Sequence, residues 1–78
     1  MTNNRNVIAV TVHALKKNSL PESTRYVAVS DLEPHDGNIW AGGDTWQACC
    51  DDLDAECARH PVLKASMFRV MPIEIVNA

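Results

Sequence analysis

The sequence feature that most constrains the fold is one amphipathic helix, opened by Gly42-Gly43-Asp44-Thr45-Trp46 and predicted over residues 45–59. Its apolar side chains follow the three- and four-residue spacing of a single helical stripe: Trp46, Cys49, Cys50, Leu53 and Cys57. No other segment of the chain has so regular a helical period. The rest of the fold therefore has to pack against this stripe.

Both ends of this helix carry sequence signals. Asp44 or Thr45 is placed to cap the free N–H groups of the first turn, and Gln47 completes a capping-box pattern with Asp44. Arg59 lies in the last turn, where a cation suits the helix dipole. Pro61 then disfavours a helical conformation for the residue before it, so the helix is expected to end there.

Strand-like segments rich in β-branched and aromatic residues surround the helix, at residues 6–15, 24–30, 39–41 and 67–76. In the first segment one face is the better core candidate, and it consists of Ile8, Val10, Val12 and Ala14. Pro72 cannot donate to a ladder, so the last strand is expected to lie at an edge or to bulge. The order β-β-β-α-β predicts an α+β fold, with a three-stranded antiparallel meander and the helix covering one face of the sheet.

The 78 residues suffice for one domain, with residues 1–5 expected to be a frayed end. No apolar run approaches the roughly 18 residues that a membrane span needs, and the N-terminus lacks a signal-peptide pattern. Three cysteines are an odd number, which argues against a disulfide framework and favours a reducing cytoplasm. We expect the cysteines to be small core residues.

Charge is distributed unevenly along the chain. Residues 26–58 hold eight acidic residues and no Lys or Arg, whereas the remainder holds seven bases against two acids. The middle segment therefore carries −8 and the remainder +5, which together give the net charge of −3. Such a segment predicts an acidic face that repels nucleic acid and attracts a basic protein.

The residues predicted to contact that partner lie on the helix, on the turn after the second strand, and in the third strand. They are Asp31, Glu33, Asp36, Trp40, Gln47, Asp51, Asp52, Asp54 and Glu56. For the helix acids an ordinary solvated surface is the alternative, but no lysine or arginine opposes them before Arg59. For Trp40 a core position is favoured, because so small a domain needs large apolar groups, and an exposed anchor of the kind common at interfaces is the alternative. Trp46 is expected in the core.

Around the helix entry the sequence resembles HicB-like domains. The likeness covers residues 7–60 and is carried by Tyr26-Val27-Ala28-Val29-Ser30-Asp31-Leu32, then Ala41-Gly42-Gly43-Asp44-Thr45 and Ala48 in the helix. It implies the same β-β-β-α order with a later strand. It also implies an antitoxin that binds and blocks a small RNA-cleaving toxin.

In size, acidity and element order the chain is also similar to the small inhibitors that phages carry against bacterial defence, including anti-CRISPR proteins. We expect a non-catalytic binding protein without cofactor. The partner would be a basic nucleic-acid-processing protein, such as a toxin RNase or a CRISPR-type effector. Because a small core gains from association, a homodimer through a sheet edge is a further expectation.

Three alternative chemistries are weaker. The possible metal ligands lack metal-binding spacing, and they are Cys49, Cys50, Cys57, His13, His35 and His60. A small hydrolase would use His35-Asp36 as base and orienter with Ser30 or Cys50 as nucleophile. A nucleic-acid-binding protein would use basic side chains gathered at one end of the first hairpin, namely Arg5, Lys16, Lys17 and Arg25.

Overall fold

The computed structural model describes residues 7–76, and of Asp36 only the backbone. It confirms the α+β class and the overall order of the elements. The strands are β1 (Ile8–Thr11), β2 (Tyr26–Ser30), β3 (Ile39–Gly43) and β4 (Phe68–Val76). The α-helices are α1 (Val12–Lys17) and α2 (Trp46–Arg59), and single 3-10 turns span Asp36–Asn38 and Ala65–Met67. The expected frayed residues 1–5 lie outside the described residues.

The four strands form a mixed sheet in the order β1-β4-β2-β3. β2 is antiparallel to both of its neighbours, as expected, but β1 pairs parallel to β4, with Ile8 opposite Ile73. The predicted meander of three consecutive strands is therefore wrong for β1, which does not pair with β2. The cause is α1, which follows β1 directly and carries the chain away before a hairpin can close.

The first strand is shorter than its composition suggests. Thr11 ends β1 and caps α1, because its hydroxyl accepts a hydrogen bond from the Ala14 N–H at 3.0 Å. Ala14 and Leu15 are then buried from a helix rather than from a strand. The predicted core face of the first segment is thus divided between two elements. A local cap has outweighed the strand propensity of a β-branched run.

Pro72 lies where β4 changes partners. The half of β4 up to Pro72 pairs with β2, and the half after Pro72 pairs with β1. The Ile73 N–H donates to the Arg25 carbonyl at 3.0 Å, so Pro72, one residue earlier, faces away from the β2 ladder. The proline removes no bond to β2, which explains how β4 tolerates it between two neighbouring strands.

The core lies on both faces of the sheet. Val27 and Val29 of β2 pack on the α1 side with Val10, Leu15 and Met71. On the α2 side the buried cluster consists of Ala28, Ala41, Cys49 and Leu53, with Phe68, Val70 and Cys57 partly buried against it. Both faces of β2 are covered, which the alternation along that strand alone did not decide.

The predicted boundaries of α2 are confirmed, and its cap is Thr45, whose hydroxyl accepts from the Ala48 N–H at 3.0 Å. Gly43 lies directly beneath the first turn, where a Cβ would come within 2.5–2.8 Å of the Cys49 and Ala48 backbone. Trp46 was expected in the core, but it is 56% exposed. It is the first residue of the helix, and burial on this face begins at Cys49.

Candidate protein-interaction surface

The exposed tryptophan of β3 owes its position to a bulge. Ala28 pairs with Ala41 and Val29 with Ile39, so Trp40 is the extra residue between them. Its ring lies 5.8 Å from that of Phe68 at an angle of 55° and remains 45% exposed. Core placement was the favoured expectation for Trp40, and the structure places it instead as a half-exposed aromatic side chain on a partly buried phenylalanine.

Helix α2 runs antiparallel to β3 and brings carboxylates to the same edge. Gly43 lies beneath Cys49, and the Gly42 N–H donates to Asp52 Oδ2 at 3.1 Å. Glu56 is one helical turn beyond Asp52, about 6 Å along the axis. Trp40 is two strand residues before Gly42, about 6.6 Å in the same direction. Glu56 therefore reaches the level of Trp40 along the β3 edge.

Two further carboxylates face solvent on α2. Asp51 accepts from Gln47 Nε2 at 3.0 Å, and Asp54 makes no hydrogen bond or ion pair with another described residue. Both raise the pKa of the Cys50 thiol, although desolvation is the larger cause. Because Gln47 is neutral and the Asp52 partner is a backbone N–H, the charges of Asp51, Asp52 and Asp54 remain uncompensated.

Asp31 and Glu56, two of the other predicted acids, have cationic partners. Arg69 of β4 binds Asp31 at 2.7–2.8 Å, and Glu56 pairs with Arg59 and lies 3.7 Å from His60 Nε2. Arg69 comes from outside the acidic segment, so the sequence count overstates the charge near Asp31. Asp52 and Glu56 lie on the flank of α2 next to β3, whereas Asp51 and Asp54 are exposed on the outer face of the helix. We call Trp40 and these four carboxylates the Trp40 surface.

Two exposed apolar side chains at this end of the sheet are not indicated by any local sequence pattern. Leu32 is 91% exposed, and the carbonyl of Met67, whose side chain is also exposed, accepts from the Asp31 N–H at 3.0 Å. They lie where β2 ends and β4 begins, on the same end of the sheet as Trp40. Only strand pairing brings these distant positions together, so no local pattern indicates them.

The loop predicted for the hydrolase alternative forms a local network. His35 Nδ1 accepts from the Gly37 N–H at 3.0 Å, and His35 Nε2 lies 3.3 Å from Asn38 Nδ2 and 3.9 Å from Glu33. The Asp36 side chain lies outside the described part of the structure. With its Nδ1 lone pair used by the backbone, the ring is held as a loop cap.

The other two alternatives were a basic nucleic-acid-binding surface and a metal site. The basic residues were expected at the end of a β1–β2 hairpin, but these strands do not pair, and Lys16 and Lys17 end α1 instead. Arg5 lies outside the described residues. Across residues 7–76 no group of three or more possible metal ligands comes together.

Among the described helices, none has both the length and the apolar character needed to cross a membrane. Comparison of the chain with protein-family models, with curated proteins and with solved structures gave no match.

Proposed function

We propose that this protein is a non-catalytic binding domain that inhibits a nucleic-acid-processing protein by occupying its basic surface through the Trp40 surface. The observation that carries the proposal is a half-exposed tryptophan on a strand edge bordered by carboxylates. A chain with four aromatic residues has few large apolar groups for its core. Leaving two tryptophans exposed forgoes core stabilisation that a small domain needs.

Tryptophan is the residue type most often found to dominate binding energy at interfaces, usually at the centre of a rim of polar residues. Trp40 is held by Phe68 on one side and by the bulge in its own backbone. Its ring is therefore ordered before binding, which lowers the entropy lost on association. This supports Trp40 as the anchor.

The uncompensated carboxylates supply the electrostatic part of the proposal. Asp51, Asp52 and Asp54 lie on one rigid helix, and Asp52 is fixed by its bond to Gly42. Carboxylates held in this way mimic a row of phosphates at a positively charged groove and accelerate encounter at low ionic strength. Asp31, Glu33 and Asp36 are retained as predicted rim contacts, of which Asp31 would have to exchange Arg69 for the partner.

The class of partner follows from the resemblances. A HicB-like antitoxin would bind a toxin RNase, and a phage inhibitor would bind a CRISPR-type effector. Both partners bind nucleic acid through basic grooves and are found in the bacterial cytoplasm. The surface chemistry required is the same in both cases, namely arginines and lysines around an apolar pocket that accepts the Trp40 ring.

The test begins with affinity purification from a bacterial host and mass spectrometry of the retained protein. That protein is then purified, and its nucleic-acid cleavage or binding is measured with and without this domain. We expect inhibition that weakens as salt rises, because the association is partly electrostatic.

Two pairs of variants separate the Trp40 surface from general effects. Trp40→Ala is compared with Trp46→Ala, since both side chains are exposed tryptophans. The double reversal of Asp51 and Asp54 to Lys is compared with the same reversal of Glu22 and Glu74, which lie outside the acidic segment. Asp52 is left unchanged because its reversal would also break the bond to Gly42.

Inhibition should fall by about 30-fold or more with Trp40→Ala, the loss expected of an interface hot spot, and little with Trp46→Ala. The helix reversal should abolish the salt dependence as well as most of the inhibition. Equal effects of the two tryptophan variants, or full inhibition by the helix reversal in low and high salt alike, would refute this use of the surface.

We also propose that the protein forms a homodimer. In the described part of the sheet β1 has a strand neighbour on one side only, so its outer edge is the edge proposed for a homodimer. On β3 the outward Gly42 N–H is already bound by Asp52. Light scattering that shows a monomer at high protein concentration would refute the homodimer without touching the inhibitor proposal.

A further inference from the structure

The sheet has a gap beside the second half of β4. The β2–β4 register pairs Tyr26 with Pro72 and, continued by three residues, would place Ser23 opposite Ile75. Ser23 belongs instead to a turn that Thr24 closes by donating its N–H to the Pro21 carbonyl at 3.1 Å. No described strand therefore occupies the β2 side of β4 beyond Ile73.

The backbone of β4 presents hydrogen-bonding groups to this gap. Along a strand, alternate residues direct their N–H and C=O groups to the same side. The Ile73 N–H points to the β2 side, since it donates to the Arg25 carbonyl. The N–H and C=O of Ile75 point the same way, while Glu74 and Val76 face β1. Within residues 7–76 the Ile75 N–H has no hydrogen-bond partner on that side.

An open groove of about 630 Å³ reaches this part of the sheet. It lies at the end opposite Trp40, where β2 begins and β3 ends, and its lining is Ser23, Arg25, Tyr26, Asp44, Pro72 and Ile73. Arg25 is exposed and forms no ion pair with a described residue, yet its backbone is fixed on both sides by bonds to Gly43 and Ile73. The volume is in the range of small-molecule and cofactor sites.

We infer that this groove binds the free C-terminus of a polypeptide, which adds as a short strand to β4 at Glu74–Val76 on the line of β2. A strand added antiparallel to β4 has the same direction as β2. Its C-terminal end therefore meets the start of β2, where Arg25 and Ser23 are placed to receive a carboxylate. A parallel strand would bring a positively charged N-terminus to Arg25.

The other groups of the groove define the preference among C-termini. Asp44 lines the same groove and would pair with a lysine or arginine next to the terminal residue while Arg25 receives the terminal carboxylate, so such a basic residue is favoured. Tyr26 and Pro72, paired across β2 and β4, form an apolar floor. The site recognises chain ends with a basic residue near the terminal carboxylate, and it is independent of the Trp40 surface.

The probe is a fluorescein-labelled hexapeptide, Thr-Val-Thr-Val-Lys-Val, with a free carboxylate, titrated with the whole protein and followed by fluorescence anisotropy. Its matched controls are the same peptide with a C-terminal amide and one with glutamate in place of lysine. Arg25→Gln tests the cation in the groove, and Lys17→Gln on α1 makes the same change of charge elsewhere.

We expect saturable binding of the free acid, weakened about ten-fold or more by the amide and by Arg25→Gln, the loss of one charge-assisted hydrogen bond. Lys17→Gln should bind as the wild type does. Amide exchange provides a readout of strand addition: the Ile75 N–H should exchange faster than the Ile73 N–H in the free protein and slow down in the complex.

Three results would overturn the inference. The first is the absence of saturable binding of the free acid up to about 1 mM, the weak end of specific recognition. The second is equal binding of the free acid and the amide. The third is binding that leaves the exchange rate of the Ile75 amide unchanged. Each leaves the Trp40 proposal intact, because that surface lies at the other end of the sheet.

Discussion

Thr24 provides the sharpest test of the packing, because its hydroxyl is buried without a partner. The residue is 2% exposed, and its Oγ1 forms no hydrogen bond with any described group. An unsatisfied buried polar group costs about 1–3 kcal/mol relative to the same group in water. Thr24→Val keeps the branched shape and removes the hydroxyl, so the free energy of unfolding should rise by about 1 kcal/mol.

For a domain of this size such a gain corresponds to a rise in Tm of about 4–8 °C. Thr45→Val is the matched control, since it removes the hydroxyl that caps α2 and should lower stability by about 0.5–2 kcal/mol. Urea and thermal unfolding followed by circular dichroism measure both. The same replacement of threonine by valine should thus raise the free energy of unfolding at Thr24 and lower it at Thr45. A destabilised Thr24→Val protein would show that the hydroxyl has a partner and would refute the reasoning.

Two further predictions concern close packing and the buried thiol. Gly43→Ala should destabilise the protein by about 3 kcal/mol or more, because the new methyl group meets the backbone of α2. At Gly42 the new methyl group meets mainly the flexible end of the Leu20 side chain, so Gly42→Ala should cost about 1 kcal/mol. Urea unfolding measures both, and equal losses would contradict the close approach of α2 to β3. Burial, with smaller contributions from Cys50 and Asp52, raises the pKa of Cys49 from 9.0 to about 12. The resulting stability is present below pH 9.0 and is lost as the pH rises toward 12, by about 1.4 kcal/mol at pH 10. Cys49→Ala should show a correspondingly shallower decline between pH 8 and pH 10 under reducing conditions, and an unchanged decline would show that Cys49 does not titrate as described.

Helix α2 shows how much a local pattern can predict. Its apolar period, its cap and its terminal proline agree, and the structure has the helix at Trp46–Arg59. The stripe predicts which face is buried, and Cys49 and Leu53 are buried as expected. It does not predict how far along the helix this burial extends, and Trp46 at the first helical position is exposed rather than buried.

The first strand shows the opposite case. β-branched residues favour a strand through residue 15, but Thr11 caps a helix whose Ala14 and Leu15 complete the core on the second face. Strand propensity reflects fit to a partly buried surface, so it yields when the tertiary structure offers a better way to bury the same side chains. The predicted strand face could not be corrected without knowing that β1 pairs with β4.

The sequence predicted which acidic residues form the candidate surface but not which of them pair with cationic residues. The acidic segment pointed to Asp51, Asp52 and Asp54, which the structure leaves without cationic partners. It could not show that Asp31 pairs with Arg69, 38 residues away along the chain. Pairing between distant residues depends on strand order, which local spacing does not encode.

What the sequence by itself determined is therefore the α+β class, the position and cap of α2, and the acidic character of one segment, because periodicity, capping and charge depend on neighbours along the chain. The tertiary structure alone decided the parallel pairing of β1 with β4, the exposure of Trp40 at its bulge, and the gap beside Ile75. Each of these depends on which strands meet and in which register. Register is set by the burial of both sheet faces at once, a condition that involves the whole chain.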